Sequence, residues 1–140
     1  RSFHVTGVQT CALPISYWKE LIELIDEPIV QVGIEGEEQL VPDFRKNLSL
    51  QELRSLIQEC RIWIGCDSFF QHLGWLEKKQ GIVLWSVSDP LIFGHPENIN
   101  LLKNRANLGE QFLWWENTPY DETKFVSPED VLKFLQTPIR

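Results

Sequence analysis

Asp67, Ser68 and His72 stand at the junction between a short apolar run, Ile62-Trp63-Ile64-Gly65-Cys66, and an amphipathic one extending to Lys79. A carboxylate, a hydroxyl and an imidazole at such a junction are groups that hold ligands or move protons. The junction reads as a buried parallel strand feeding a helix N-terminus. Free backbone N–H groups and the helix dipole point outward there, so residues 67–72 are the expected place for a phosphorylated ligand. Asp67 also suits a helix N-cap, a role compatible with ligand contact. His72 shares a helix face with Trp75 and Leu76, and a structural histidine fits as well as a ligand contact. A hydrolase reading fails: there is no G-x-S-x-G, and neighbours on one helix start do not make a triad.

A second group of acids, Glu35, Glu37 and Glu38, follows the apolar run Ile29-Val30-Gln31-Val32-Gly33-Ile34. Such a run is either a solvated loop or, after a strand, a binding loop. Gly33 and Gly36 do not make a dinucleotide fingerprint, because no G-x-G-x-x-G is present. Cys60, Cys66, His72 and His95 lack the paired spacing of a metal site and read as buried packing. No metal and no cofactor are expected. Lys78-Lys79 reads as a solvated helix end.

The elements that must position these groups follow a rhythm. Tyr17 to Asp26 reads as a helix with Trp18, Leu21, Ile22 and Ile25 on one face. Residues 29–34 form a strand. Ser49 and Glu52 make a capping-box pattern for a helix whose apolar face is Leu53, Leu56, Ile57 and Cys60. Arg61 to Cys66 is a strand, Ser68 to Lys79 a helix, and Gly81 to Trp85 a third strand. Alternating helices and short apolar strands imply βαβ units and a mostly parallel sheet, an α/β fold. Asp89-Pro90 and His95-Pro96 mark loops. Residues 99–102 and 112–115 are strand candidates, with one of Trp114 and Trp115 facing outward. Ser127-Pro128-Glu129-Asp130 starts a last helix with Val131, Leu132, Phe134 and Leu135 buried.

Residues 5–15 resemble the translation of a sequencing-library adapter, and the chain contains no Met. The expected division is a non-native segment 1–16 and one domain over 17–140. That domain has 12 basic and 20 acidic residues, a net charge of −8. An acidic balance argues against general nucleic-acid binding. No apolar run approaches the roughly 20 residues of a membrane span. Two cysteines in 17–140 are too few for a disulfide framework, which fits a reducing cytoplasm.

Three blocks together resemble glycosyltransferase family 9, the heptosyltransferase-like enzymes of lipopolysaccharide synthesis. Leu48-Ser49-Leu50-Gln51-Glu52-Leu53 is similar to the family's S-L-x-E-L helix start. Residues 64–73 are similar to its strand–D-[ST]-G-x-x-H-L–helix element, and Val83 to Pro90 to its strand–G-x-[ST]-D-P element. The resemblance covers about residues 17–135 and corresponds to the carboxyl-terminal, Rossmann-like half of a GT-B-type enzyme. It implies a donor site for a nucleotide-diphosphate sugar, ADP- or UDP-linked. Ser68 and the following N–H groups would face the diphosphate, Asp67 would lie at the sugar-diphosphate site, and His72 would support it. Glu37, or Glu35 beside it, would accept from the ribose hydroxyls, Leu48 would pack on the base, and Asp89 would anchor the loop after the third strand. Phe69 stands where the family has Gly, which narrows the pocket or reorients the helix start.

The acceptor domain, with the family's catalytic base, lies outside this chain. The implied reaction is displacement at the anomeric carbon by a glycan hydroxyl, which this fragment alone would not catalyse. Cytoplasmic location, with peripheral membrane association of the parent protein, follows from the same resemblance. The family's first strand of this half should precede Tyr17. Residues 3–8 have some β-propensity and are expected to occupy that vacant central slot. Two other readings stand beside this one: a non-catalytic nucleotide-sugar or carbohydrate-binding module, and a flavodoxin-like interaction domain.

Overall fold

The computed structural model describes residues 3–6, 13–111 and 121–136. Its sheet has six strands: β1 Phe3–Thr6, β2 Ile29–Gly33, β3 Asp43–Lys46, β4 Ile62–Cys66, β5 Gly81–Trp85 and β6 Ile99–Leu102. Five helices accompany them: α1 Ile15–Leu24, α2 Leu50–Glu59, α3 Phe69–Leu76, α4 Pro90–Phe93 and α5 Pro128–Leu135. All neighbouring strands are parallel and their order is β3-β2-β1-β4-β5-β6. This is an α/β architecture compatible with a Rossmann-like fold, whose strand order reverses between β1 and β4.

Every residue of β4 and β5 is buried, as a continuous apolar run predicts for central parallel strands covered on both faces. Side-chain alternation splits them between two cores. Ile62, Ile64, Cys66, Ile82 and Leu84 join Trp18 and Leu21 of α1 and Val131 and Leu135 of α5. Trp63, Val83 and Trp85 face the other way, onto Ile57 of α2 and Phe70 and Leu73 of α3. The Trp63 ring meets Phe70 edge-on at 5.6 Å, and its Nε1 donates to Lys79 O at 2.9 Å. Among the described residues, no helix is long and apolar enough to cross a membrane.

The expected central strand is present. Phe3 pairs in register with Ile29 on one side and Ile62 on the other, so residues 3–6 lie between β2 and β4. The capping box is present too: Ser49 Oγ accepts from Glu52 N–H, and Glu52 Oε1 accepts from Ser49 N–H, both at 3.1 Å. Ser127 caps α5 through Asp130 N–H. The candidate strand 112–115, with Trp114 and Trp115, lies outside the described residues. Two elements were not expected. β3 is an edge strand of mostly exposed residues, and α4 is a single turn inside what reads as a loop.

The link from β2 to β3 contains no helix, and Gln31 holds it. The fully buried Gln31 amide donates to Glu38 O at 2.8 Å and accepts from Leu40 N–H at 2.7 Å. Ile34 to Glu37 make a tight turn, with Glu37 N–H on Ile34 O and Gly36 at φ 95°. A turn needing positive φ at its third residue takes Gly without strain. Cys60 and Cys66 are both buried. Cys60 is a free thiol, pushed by burial up to about 11. Cys66 is disulfide-bonded, which corrects the expectation of two reduced, packed thiols.

Candidate functional site

The crevice outside the carboxyl ends of parallel strands, where strand order reverses, is where this architecture exposes helix N-termini and loop groups together. β4 and α3 deliver Asp67 and Ser68 to that place, β5 delivers Ser88 and Asp89, and β2 delivers Glu35 and Glu37.

Ser68, not Asp67, occupies the cap position of α3, and its side chain makes no capping bond. That corrects the reading of Asp67 as the N-cap. α2, α4 and α5 are capped by Ser49, Asp89 and Ser127, whereas α3, like α1, starts without a side-chain cap. The half-buried Asp67 carboxylate turns instead to Gln71 one turn into α3, whose Nε2 donates to Asp67 Oδ1 at 2.7 Å. Burial pushes the Asp67 carboxyl above its ordinary range. The Gln71 amide, the charge of His72 and the nearby Ser88 hydroxyl pull the other way without overcoming it.

Buried polar atoms without a partner gather around this carboxylate. Ser68 Oγ and Gln71 Oε1 make no hydrogen bond, and Ser88 Oγ, near enough to Asp67 to lower its carboxyl, has no partner in good hydrogen-bond geometry. At the end of β2, Glu37 Oε2 is likewise buried and unpartnered. Glu37 folds back over Gly33, and burial raises its carboxyl against the lowering effect of the Ile34 backbone N–H. Buried polar groups are nearly always satisfied, so a local concentration of exceptions needs a reason.

The remaining expected residues have other surroundings. Glu35 is exposed and pairs with Lys46 at 3.7 Å. Leu48 is half-buried against the cluster of Val30, Val32 and Leu56. Phe69 opens α3 with its ring 62% exposed, so it turns outward instead of filling the crevice. His72 Nδ1 lies 2.8 Å from His95 Nε2, and His95 stacks on Trp75 at 4.5 Å between ring centres. Burial and the charge of His72 lower the His95 imidazole below its usual range. Asp89 does anchor its loop. Its Oδ1 caps α4 through Leu91 N–H at 2.9 Å, and both oxygens meet the Arg105 guanidinium. Those bonds hold its carboxyl below the ordinary range, with Arg105 the larger influence.

Lys78 is exposed, as a solvated helix end requires, but Lys79 does more. Lys79 Nζ donates to Cys60 O at 2.6 Å and Gln58 O at 3.3 Å, closing the end of α2. Among the described residues no group of three or more His, Cys, Asp or Glu side chains is placed to hold a metal ion. Sequence reasoning missed Gln71, Ser88 and the His72–His95 pair. Only the first had a signal: an amide four residues after Asp67 reaches back over one helical turn.

Comparison with protein-family models, curated proteins and solved structures finds no match to this chain.

Proposed function

We propose that this chain is the donor-binding half of a family 9-like glycosyltransferase, of GT-B type, holding a nucleotide-diphosphate sugar at the carboxyl edge of its sheet. One observation carries the reading. Of the five buried side-chain atoms without a partner among the described residues, four lie at that edge: Glu37 Oε2, Ser68 Oγ, Gln71 Oε1 and Ser88 Oγ. They flank an uncapped helix N-terminus and a desolvated carboxylate.

The chemistry is divided between the strand ends. The first N–H groups of α3 and the Ser68 hydroxyl suit a diphosphate, through directed donors and the helix dipole. Glu37, at the end of β2, suits the ribose diol, since a carboxylate there accepts from both hydroxyls. Asp67 meets the sugar beyond the diphosphate as a hydrogen-bond acceptor. Sugar transfer to a glycan, heptose being the family's usual donor sugar, requires an acceptor-activating base from a second domain.

Calorimetric titration of ADP and of UDP tests this. The reading expects saturable binding of one of them, weakened about tenfold or more by Asp67→Ala and by Glu37→Ala, since each removes a hydrogen bond to a charged group. A well-folded protein that binds neither nucleotide overturns it and leaves an interaction domain with a helix-start carboxylate.

A further inference from the structure

Gln71 lies on the buried side of α3, fully excluded from solvent, yet one of its two polar ends is unpaired. Its Nε2 reaches Asp67 Oδ1 at 2.7 Å and Phe93 O at 3.4 Å, while Oε1 has no partner. The amide orientation is set by its neighbours: a carboxylate and a carbonyl both accept, so the NH2 group must face them. As a packing residue this is a poor choice. A Met of similar length would fill the same space without an unmade hydrogen bond. The amide therefore serves Asp67.

We infer that Gln71 is the positioning residue of the carboxyl-edge site: it ties Asp67 Oδ1 to the start of α3 and to α4, and so fixes how the carboxylate meets a ligand. The arrangement links three elements. Phe93 ends α4, Gln71 lies in α3, and Asp67 follows β4, so the carboxylate is aimed from two helices at once. The role toward a ligand rests on the donor-site reading above. The aiming of Asp67 by Gln71 does not.

The donated bond also keeps Asp67 ionisable despite burial, so its loss should raise the carboxyl further. The other titratable or charged groups at this edge are His72 on α3, His95 after α4 and bonded to His72, Asp89 paired with Arg105, and Glu35 and Glu37 after β2. None of them is altered by a change at position 71.

The test is a carbon-detected NMR titration of the Asp67 carboxyl in wild type, Gln71→Met and Gln71→Glu, beside ADP and UDP titrations at pH 7. Near-UV circular dichroism checks the fold. Gln71→Met is expected to raise the Asp67 midpoint by about one unit. It is expected to weaken nucleotide binding about tenfold. Gln71→Glu should raise the midpoint further, because it sets a second carboxyl against the first. An Asp67 midpoint unmoved in both folded variants overturns the inference. A wild type that binds neither nucleotide overturns the donor-site reading, and with it any role of Gln71 toward a ligand. A moved midpoint with unchanged nucleotide binding overturns the positioning role while the donor site stands.

Discussion

At the amino edge of β4 and β5, Trp63 Nε1 donates to Lys79 O, Lys79 Nζ closes the carbonyls of Gln58 and Cys60, and Arg54 and Gln58 share Glu77. The bonds of Arg54 and Gln58 hold the Glu77 carboxyl below its ordinary range. Asn98 Oδ1 accepts from Gly81 N–H, leaving Asn98 Nδ2 as the one unpartnered buried atom described there. At the carboxyl edge the pattern inverts. Asp67 and Glu37 are desolvated acids held above their ordinary range, and Ser68, Gln71 and Ser88 carry unpaired atoms. One sheet thus has an end whose polar groups are used up by the fold and an end whose groups are kept in reserve. Reserve of that kind is unfavourable to stability and is expected where a ligand completes the bonding.

The same substitution made at the two edges should separate them most sharply. A Cβ at Gly81 would sit 2.0 Å from the buried Trp63 ring, which is packed on both sides and has nowhere to move. Gly81→Ala should destabilise the protein by about 3 kcal/mol or more in a urea unfolding experiment. A Cβ at Gly33 would meet chiefly the tip of Glu37, at 2.1 Å, and a flexible carboxylate swings away. Gly33→Ala should therefore change stability by less than about 1 kcal/mol while displacing Glu37, seen as loss of nucleotide affinity. Equal destabilisation at both positions would break the contrast.

Protonation gives the next effect. Asp67 is raised in the folded state, so folding is favoured while it is protonated in both states, and that advantage is lost as pH rises through the folded value. Asp67→Asn should stabilise the fold at pH 7 by about 1 kcal/mol or less after solvent screening, seen as a higher Tm. At pH 3, below the ordinary aspartate value of 3.8, the gain should vanish. Thermal melts of both proteins across pH 3–8 check this, and a gain independent of pH would contradict it. Asp89 has the opposite sign. Its lowered carboxyl favours folding above the ordinary value and loses that contribution as pH falls through the lowered one.

The smallest effect belongs to the amino edge. Lys78 ends α3 at φ 56°, with its N–H on Trp75 O and Lys79 N–H on Gly74 O. A left-handed residue in that arrangement favours Gly. Lys78→Gly should stabilise by up to about 1 kcal/mol in urea unfolding without touching nucleotide binding.

How much was legible in the sequence depended on whether the signal was local. Ser49 with Glu52, and Ser127 before Pro128, announce helix starts by residue type alone, and both cap as expected. β4 and β5 were legible as continuous apolar runs. β3 was not, because Asp43, Arg45 and Lys46 are exposed and only pairing with β2 makes them a strand. In the candidate site, Asp67 and Glu37 stood out as acids after strands. Gln71 was hidden because an amide within an apolar helix face looks like tolerated polarity until its partner is seen. His72 could be named but not aimed, since its partner His95 is 23 residues away.

The most direct test of the two-edge account is an amide chemical-shift map of the isotopically labelled chain titrated with ADP and with UDP. The account predicts shifts confined to residues 33–37, 67–72 and 86–89, with the amino-edge residues 78–81 and 97–98 unmoved. Shifts centred on the amino edge, or none at saturating nucleotide, would contradict it.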